Sequence, residues 1–317
     1  VRRRLLEYLV CPACGGGLSG SDEADEIVEG RLSCADCGAV FPIRRGVPRM
    51  LLGHVSRSQQ RTLDAFGWEW QTFRRLPANE QQQFLDWIHP LGPEFFVDKV
   101  VLDAGCGMGR FAVASAAFGA QDVLAIDLSD AVEAAADNAR DWPNVHVVQA
   151  DIYRLPFRRA SVDFAFCIGV LHHLPDPEGG FACLAEHVNQ DGALFAWVYG
   201  RENNGWLVRL INPIRERVGS RLPRRALYAL AWGLALVLHP LSRLARVLPL
   251  PYRAYLRWLG EYGFRHTHHV VFDHLVAPTA FYIRRDEFAA WFARAGLGSP
   301  RLSWRNQNSW RGFAYRS

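Results

Sequence analysis

The stretch VLDAGCGMGRF at 101–111 limits what this chain can fold into more than any other. A β-branched, apolar run ends in Asp103, and glycines then alternate at Gly105, Gly107 and Gly109. Such a run reads as a buried strand, and the glycines as a tight turn into a helix. That junction places a nucleotide-sized pocket at the carboxyl end of a parallel sheet. Two common users of such a turn are excluded. The dinucleotide fingerprint needs a third small residue at G-x-G-x-x-G, and Arg110 stands there. A P-loop needs a following GK[ST], which the turn lacks.

From residue 99 onward, strand and helix signals alternate. KVVLDAG (99–105), DVLAIDL (122–128), VHVVQA (145–150), VDFAFCIG (162–169) and ALFAWVY (193–199) predict strands. Helices are expected after the glycine turn to about Phe118, through an alanine-rich segment to Arg140, and after Pro177. RRDEFAAWFARAGL (284–297) reads as an amphipathic helix, followed by short strands near 300–305 and 310–316. Repeated βα units imply a parallel sheet with helices on both faces and ligands beyond the strand carboxyl ends.

Acids stand at those ends. Asp103 closes the first strand, Asp127 the second, and Asp151 lies just past the third. Each carboxylate matches a feature of S-adenosylmethionine. Asp127 can accept from both ribose hydroxyls. Asp151 can accept from the adenine amine, with Ile152 against the ring. Asp103 sits where the methionine ammonium belongs, directly or through water. Singly, each acid could be a helix cap or a turn residue. Three at successive strand ends beside the glycine turn favour one shared ligand.

On these residues, 99–200 and 278–317 resemble a class I S-adenosylmethionine-dependent methyltransferase. The matching segments are VLDAGCGMGRF, AIDLS (125–129), QADIYRLPF (149–157) and VDFAFCIGVLHHLPDP (162–177). The resemblance implies an α/β, Rossmann-like seven-stranded sheet whose last strand is antiparallel. It also implies a cofactor site lined by Gly105, Gly107, Asp127, Asp151 and Ile152, with Ile168 and Gly169 near the methionine end. Cys106 and Leu128, their neighbours in sequence, complete the expected set.

The chain has seven cysteines, and four form two pairs, Cys11/Cys14 and Cys34/Cys37, with nineteen residues between the pairs. Four thiolates in two knuckles predict a closed, structural zinc site without an open catalytic position. So small a module has little core, and the metal would supply its folding energy. A redox dithiol is the other reading. The segment resembles the small zinc-ribbon activator of tRNA and protein methyltransferases and, more loosely, the ribbon of a bacterial rRNA guanine methyltransferase family. The expected organisation is a ribbon at 1–53, a helical connector at 54–98 and a methyltransferase domain at 99–317. Phe66, Trp70 and Phe73 recur at helical spacing in the connector. Arg2-Arg3-Arg4 followed by LLEYLV is too short and too polar for a signal peptide, so a cytoplasmic protein is expected.

A helical insertion at 201–277 interrupts the βα rhythm. Up to Arg265 it holds twelve arginines against three acids, in a chain whose net charge is +4. Within it, 226–242 carries no acid and no arginine. That run falls short of the ~20 residues of a membrane span, and Pro240 is expected to break it. A buried lid helix is the favoured reading. An interfacial helix making peripheral membrane contact, or a wall for an apolar substrate, is the sharper one.

Candidate catalytic residues follow from position. His172 and His173 lie at the mouth of the site, as packing residues or, for His173, as a base. Tyr199 ends the fifth strand. His274 and Tyr282 flank LVAPTAF and could reach the acceptor. His266, His268, His269, Asp273 and His274 could form a second metal site or, more simply, a hydrogen-bonded surface. IGVL (168–171) stands where amino-methylating enzymes of bases and glutamines often carry an NPPY-like motif. The expected function is methyl transfer to a small, apolar or natural-product-like acceptor. The alternative is an RNA methyltransferase using the ribbon and arginines to bind phosphates. A protein partner for the ribbon is a further option, and a non-catalytic scaffold conflicts with the intact glycine and acid set.

Overall fold

The four cysteines and a handful of apolar residues organise the N-terminal module. A short helix α1 (Arg3–Leu6) is followed by strands β1 (Leu18–Gly20), β2 (Gly30–Cys34), β3 (Val40–Arg44) and β4 (Val47–Pro48), which pair antiparallel in that order. Leu5, Leu9, Leu32, Phe41 and Ile43 are buried and join the core of the main sheet. The computed structural model describes residues 1–20, 26–53, 80–205, 222–250, 252–276 and 280–316, with Gln60, Leu63, Asp64, Gly67, Trp68, Trp70, Thr72 and Arg209. Phe66 and Phe73 of the expected connector helix lie outside the described residues.

The larger unit follows. Helix α2 (Glu80–Ile88) precedes β5 (Val100–Ala104), α3 (Arg110–Ala117), β6 (Asp122–Asp127), α4 (Val132–Asn138), β7 (Val145–Gln149), β8 (Val162–Ile168), α5 (Pro177–His187) and β9 (Val188–Tyr199). Then come α6 (Arg224–Leu244), α7 (Arg253–Leu259), α8 (Phe264–Val276), α9 (Arg285–Arg294), β10 (Arg301–Arg305) and β11 (Ser309–Tyr315). The seven strands lie in the order β10-β11-β9-β8-β5-β6-β7. β7, β6, β5, β8 and β9 are mutually parallel, and β11 returns antiparallel between β9 and β10. This is the expected Rossmann-like sheet with an antiparallel last strand. The chain departs from β5 in both directions, so the crevice for a ligand opens above β5 and β8.

Both faces are covered. On one, Phe84 of α2 stacks on Phe111 at 4.7 Å and meets Phe96 and Phe166. On the other, Phe181 of α5 packs against Phe288, Trp291 and Phe292 of α9. β9 begins at Val188, earlier than 193, because Asn189–Gly192 form an irregularity in the pairing with β8 rather than a loop, with Asp191 at φ 65°. α6 runs through Pro240 to Leu244, contrary to the expected break. Proline removes one N–H and frees the carbonyl four residues back. Here both Pro240 and Leu236 face solvent, so that carbonyl is not stranded in a core.

The ribbon closes the sheet at β7. The Met50 amide donates to the Gln149 carbonyl at 2.8 Å, and Arg49 pairs with Glu133 of α4. Arg45 reaches Glu133 at 2.6 Å and Asp137 at 2.9 Å. An exposed edge strand is a template for unwanted pairing, and the ribbon occupies it.

A second tie is polar and buried. Asp122, at the start of β6, accepts from Arg4 Nε at 2.9 Å, Tyr8 OH at 2.6 Å and His146 Nε2 at 2.9 Å. Burial alone would raise the Asp122 carboxyl, but the donors from His146, Tyr8 and Arg4 outweigh it and hold the carboxyl near about 2. A depressed carboxyl adds stability above its unfolded pKa and loses it as pH falls toward the folded one. We predict that Asp122→Asn costs about 2 kcal/mol at neutral pH. In urea titrations run from pH 7 to pH 2, the variant should also lose less stability than the wild type below pH 4. Parallel acid limbs would show that Asp122 is not held low.

Candidate active site

The turn after β5 is pinned before any ligand arrives. The amides of Gly105 and Cys106 both donate to the Ile126 carbonyl at 2.8 Å. The Gly107 amide donates to Asp127 Oδ2 at 2.9 Å, while Asp127 Oδ1 accepts from the Ser129 amide at 2.8 Å and hydroxyl at 2.7 Å. Asp127 therefore clamps the glycine turn to the end of β6 and keeps one acceptor site, on Oδ2, for a ligand. Gly105 sits at φ +80°, and a Cβ there would lie 2.3 Å from Val170 Cγ2. Gly169, after β8, sits at φ +81° with nothing within 4 Å of such a Cβ.

A cavity of about 400 Å³ opens over these strand ends. Nine of the ten expected cofactor residues line it: Gly105, Cys106, Gly107, Asp127, Leu128, Asp151, Ile152, Ile168 and Gly169. Asp103 is not on the wall. It lies beneath the turn at 2% exposure, and its Oδ2 has no hydrogen-bond partner among the described residues. Burial pushes its carboxyl well above the usual range, nearby Asp127 pushes it further, and Arg110 only partly offsets this. Burial raises Asp127 as well, against the donors of Ser129 and Gly107. Asp151 caps a short turn by accepting from the Tyr153 amide at 3.0 Å. This end of the cavity is acidic, and a cationic ligand rich in donors suits it.

The opposite end differs. Arg305 of β10 is 5% exposed, ion-paired with Asp86, and lies 4.2 Å from the Trp87 ring centroid and 5.1 Å from that of Trp258. Trp87 Nε1 and Arg305 Nε are buried donors with no acceptor among the described residues. Both atoms are buried within the wall, so what these residues offer the cavity is aromatic and aliphatic surface. These residues escaped the sequence reading because they come from α2, α7 and β10, with no motif linking them.

Between the two ends stand the candidate catalytic groups. His173, Tyr199 and His274 line the cavity. Tyr282 is not on the wall; it stacks behind Tyr199 at 5.6 Å, and the Tyr199 ring is 5.9 Å from that of His274. His172 packs on Tyr199 at 4.0 Å, which accounts for it structurally. His274 Nδ1 is 2.9 Å from the Val270 carbonyl, which can only accept, so Nδ1 carries the proton and Nε2 the lone pair. Burial pushes the His266 imidazole down to about 3 and that of His269 to about 4, so both are neutral at pH 7.

The second metal site considered for the histidine segment does not assemble. His268 turns away to the Tyr228 carbonyl of α6 at 3.2 Å, and His266 stacks on Tyr262. Among the described residues, only Cys11, Cys14, Cys34 and Cys37 bring three or more such donor atoms together, all within 4.8 Å of one another. The Cys11–Cys37 and Cys14–Cys34 sulfur separations of 3.6 and 3.5 Å are close to the ~3.8 Å edge of a tetrahedron with ~2.3 Å metal–sulfur bonds. The amides of Cys37 and Asp36 lower the Cys34 thiol, whereas burial raises Cys11. At Cys14 the Gly16 amide is outweighed by the sulfurs of Cys37 and Cys34, which raise it, so the four sulfurs share protons rather than charge in the absence of a metal.

Sheet order, pinned glycine turn and acids at the strand ends define a class: the S-adenosylmethionine-dependent methyltransferases of Rossmann-like fold. Residues 102–196 match the methyltransferase domain family, and residues 2–46 match the Trm112p-like protein family. The chain thus joins a class I methyltransferase domain to an N-terminal Trm112p-like module. An uncharacterized protein of Synechococcus sp. is 35% identical over 126 residues, 38% of this chain and 30% of that protein. A ubiquinone biosynthesis O-methyltransferase of Albidiferax ferrireducens is 32% identical over 144 residues, 44% of this chain and 55% of that protein. The chain therefore spans about half, or less, of the length of these relatives. Among solved structures, a 1,6-didemethyltoxoflavin-N1-methyltransferase of Burkholderia thailandensis matches at 14% identity and a TM-score of 0.49, over 89% of this chain and 97% of that one.

The two glycines separate strain from steric overlap. Each alanine variant forces an L-residue into the left-handed region, at about 1–2 kcal/mol. Gly105→Ala must also displace Val170, whereas Gly169→Ala meets open space. We expect Gly105→Ala to be the less stable variant by at least about 1 kcal/mol in chemical denaturation. Equal stabilities would contradict the close approach of Val170.

Proposed function

We propose that this protein transfers a methyl group from S-adenosylmethionine to a hydroxyl of a small, aromatic or otherwise largely apolar acceptor. The observation that carries this reading is the asymmetry of the cavity, with carboxylates at the strand ends and the aromatic rings of Trp87, Trp258 and Tyr199 across from them. The similarity to a ubiquinone biosynthesis O-methyltransferase supports it.

In this reading Asp127 accepts from a ribose hydroxyl through its remaining Oδ2 site, Asp151 from the adenine amine, and Ile152 packs on the ring. Asp103 acts from beneath the turn on the ammonium, and Gly169 leaves room beside the methionine end. The cofactor supplies an electrophilic methyl on a sulfonium, a leaving group that needs no further activation. The protein's work is to align the acceptor oxygen in line with it and to exclude water. His274 Nε2 takes the acceptor proton, with Nδ1 held by the Val270 carbonyl and Asp273 4.0 Å away. Tyr199, backed by Tyr282, and His173 shape the wall beside it. The base matters only while the acceptor hydroxyl is protonated.

The four cysteines hold a structural zinc. Residues 1–53 are then the metal-held module, 54–98 bring Trp70 and Trp87 to the cavity, and 99–317 form the transferase unit, covered by 201–277.

Calorimetry with S-adenosylhomocysteine tests the donor site. Asp127→Ala should weaken binding by more than about tenfold, through loss of charge-assisted bonds. Undiminished affinity would refute the assignment. The acceptor end is tested with labelled cofactor and two probes, 3,4-dihydroxybenzoate and 4-methylcatechol. Trp87→Ala, which removes an aromatic wall of the cavity, should raise KM for both probes by about tenfold while leaving S-adenosylhomocysteine affinity unchanged. His274→Ala should lower kcat by about 100-fold or more. Cys34→Ser should release zinc, measured by elemental analysis, and unfold the ribbon.

A further inference from the structure

α6 turns one stripe inward and a different face outward. Leu227 and Ala231 are buried against Phe272 of α8, and the buried Ala235, Ser242 and Ala245 continue that stripe. The other face presents Leu230, Trp232, Leu234, Leu236, Val237 and Leu241, each between 41% and 61% exposed. The expected buried lid helix is therefore not what the chain builds. A water-facing helix face is normally polar. This one carries no Asp, Glu, Lys or Arg between Arg225 and Arg243.

Charge surrounds the apolar face with a single sign. Residues 222–260 contain six arginines and no acid. Arg225, Arg243, Arg246, Arg253 and Arg257 are exposed. A second copy of the chain is a poor occupant for such a face. Antiparallel pairing of two α6 helices sets the Arg225 end of one against the Arg243 and Arg246 end of the other, with no acid in the segment to compensate.

A membrane span is also disfavoured, although Arg225–Leu244 is long and apolar enough for one. The inward stripe is fastened to α8. His239 Nδ1 lies 3.0 Å from Thr267 Oγ1, and His268 Nε2 donates to the Tyr228 carbonyl at 3.2 Å. Gly260 lies directly on the Ser242 backbone, where even a Cβ would come 2.7 Å from the Ser242 carbonyl.

We infer that α6 lies in the plane of an anionic bilayer surface, its Leu, Val and Trp side chains among the upper acyl chains and the arginines against lipid phosphates. α8, on which α6 rests, carries His266, His269, Val270, Asp273 and His274 to the cavity wall. The lipid surface then stands about one helix diameter, ~10 Å, from the cavity. Resting on the function proposed above, the acceptor is a membrane-soluble molecule entering from the lipid side. The docking itself does not depend on that function.

The full-length chain is sedimented with phosphatidylcholine vesicles, with and without phosphatidylglycerol, at low and high salt. Partition should be at least about tenfold stronger with the anionic lipid and fall with salt. The double variant L236E/V237E, altered at two exposed positions, should remain in the supernatant with an unchanged thermal transition and unchanged S-adenosylhomocysteine affinity. Two results would each overturn the docking: a wild type that stays in the supernatant with every vesicle, or a double variant that sediments like wild type. So would a wild-type dimer that the double variant turns into a monomer, since a second copy would then cover the face. Failure of cofactor binding or of methyl transfer to the probes would leave the sedimentation result standing, so the two readings fail separately.

Discussion

A parallel sheet has apolar strands on both faces and therefore needs cover on both. In this chain that constraint accounts for most of what is added around it. α2, α3 and α4 cover one face through Phe84 and Phe111, and α5 and α9 cover the other through Phe181, Phe288 and Phe292. The hairpin of β10 and β11 extends one side of the sheet, and the ribbon meets the other at Gln149. What remains for a ligand is the row of strand carboxyl ends, and the insertion together with Trp70 and Trp87 turns that row into a cavity.

The charges in that cavity follow from where the strands stop. Asp103 and Asp127 end adjacent parallel strands, so their carboxylates share one poorly solvated corner, and both are driven toward the neutral acid. A bound cation with hydroxyl and ammonium donors relieves this strain, which is differential stabilisation of the occupied site. Across the cavity the guanidinium of Arg305 lies over the Trp87 ring, close to Trp258, and is neutralised by Asp86, so that end presents little net charge. The arrangement suits a cation against the strand ends and an apolar ring against the aromatic wall.

The parts legible in the sequence are those set by local pattern. Alternating apolar runs and the Asp103–Gly109 turn were enough to anticipate the parallel strands, and the two CxxC pairs to anticipate the cysteine cluster. The acceptor end was not legible because it is tertiary. Trp87 and Arg305 are 218 positions apart in sequence (305 − 87) and meet only because β10 pairs with β11, which lies beside β9 and under α2. The ribbon's attachment was hidden for the same reason. Arg4, Tyr8, Asp122 and His146 form one network, yet nothing in the sequence near any of them marks it. Pro240 misled in the other direction, since its cost depends on whether the freed carbonyl is buried, and composition does not say.

The insertion shows how one helix pair can serve two solvents. α8 is amphipathic toward the cavity, where His269, Asp273 and His274 supply polar groups, and it presents Phe272 to α6 on its other side. α6 meets α8 through Leu227, Ala231, Tyr228 and His239, and leaves Leu230, Leu234, Leu236, Val237 and Leu241 turned to solvent. Reversing that choice, with leucines inward and alanines outward, would have made an ordinary buried lid of the same composition. Total hydrophobicity therefore does not decide the matter. The outward placement of the bulky residues does, because exposing Leu, Val and Trp to water is unfavourable in proportion to their area. A bilayer surface removes that area from water while leaving the cavity side of α8 unchanged.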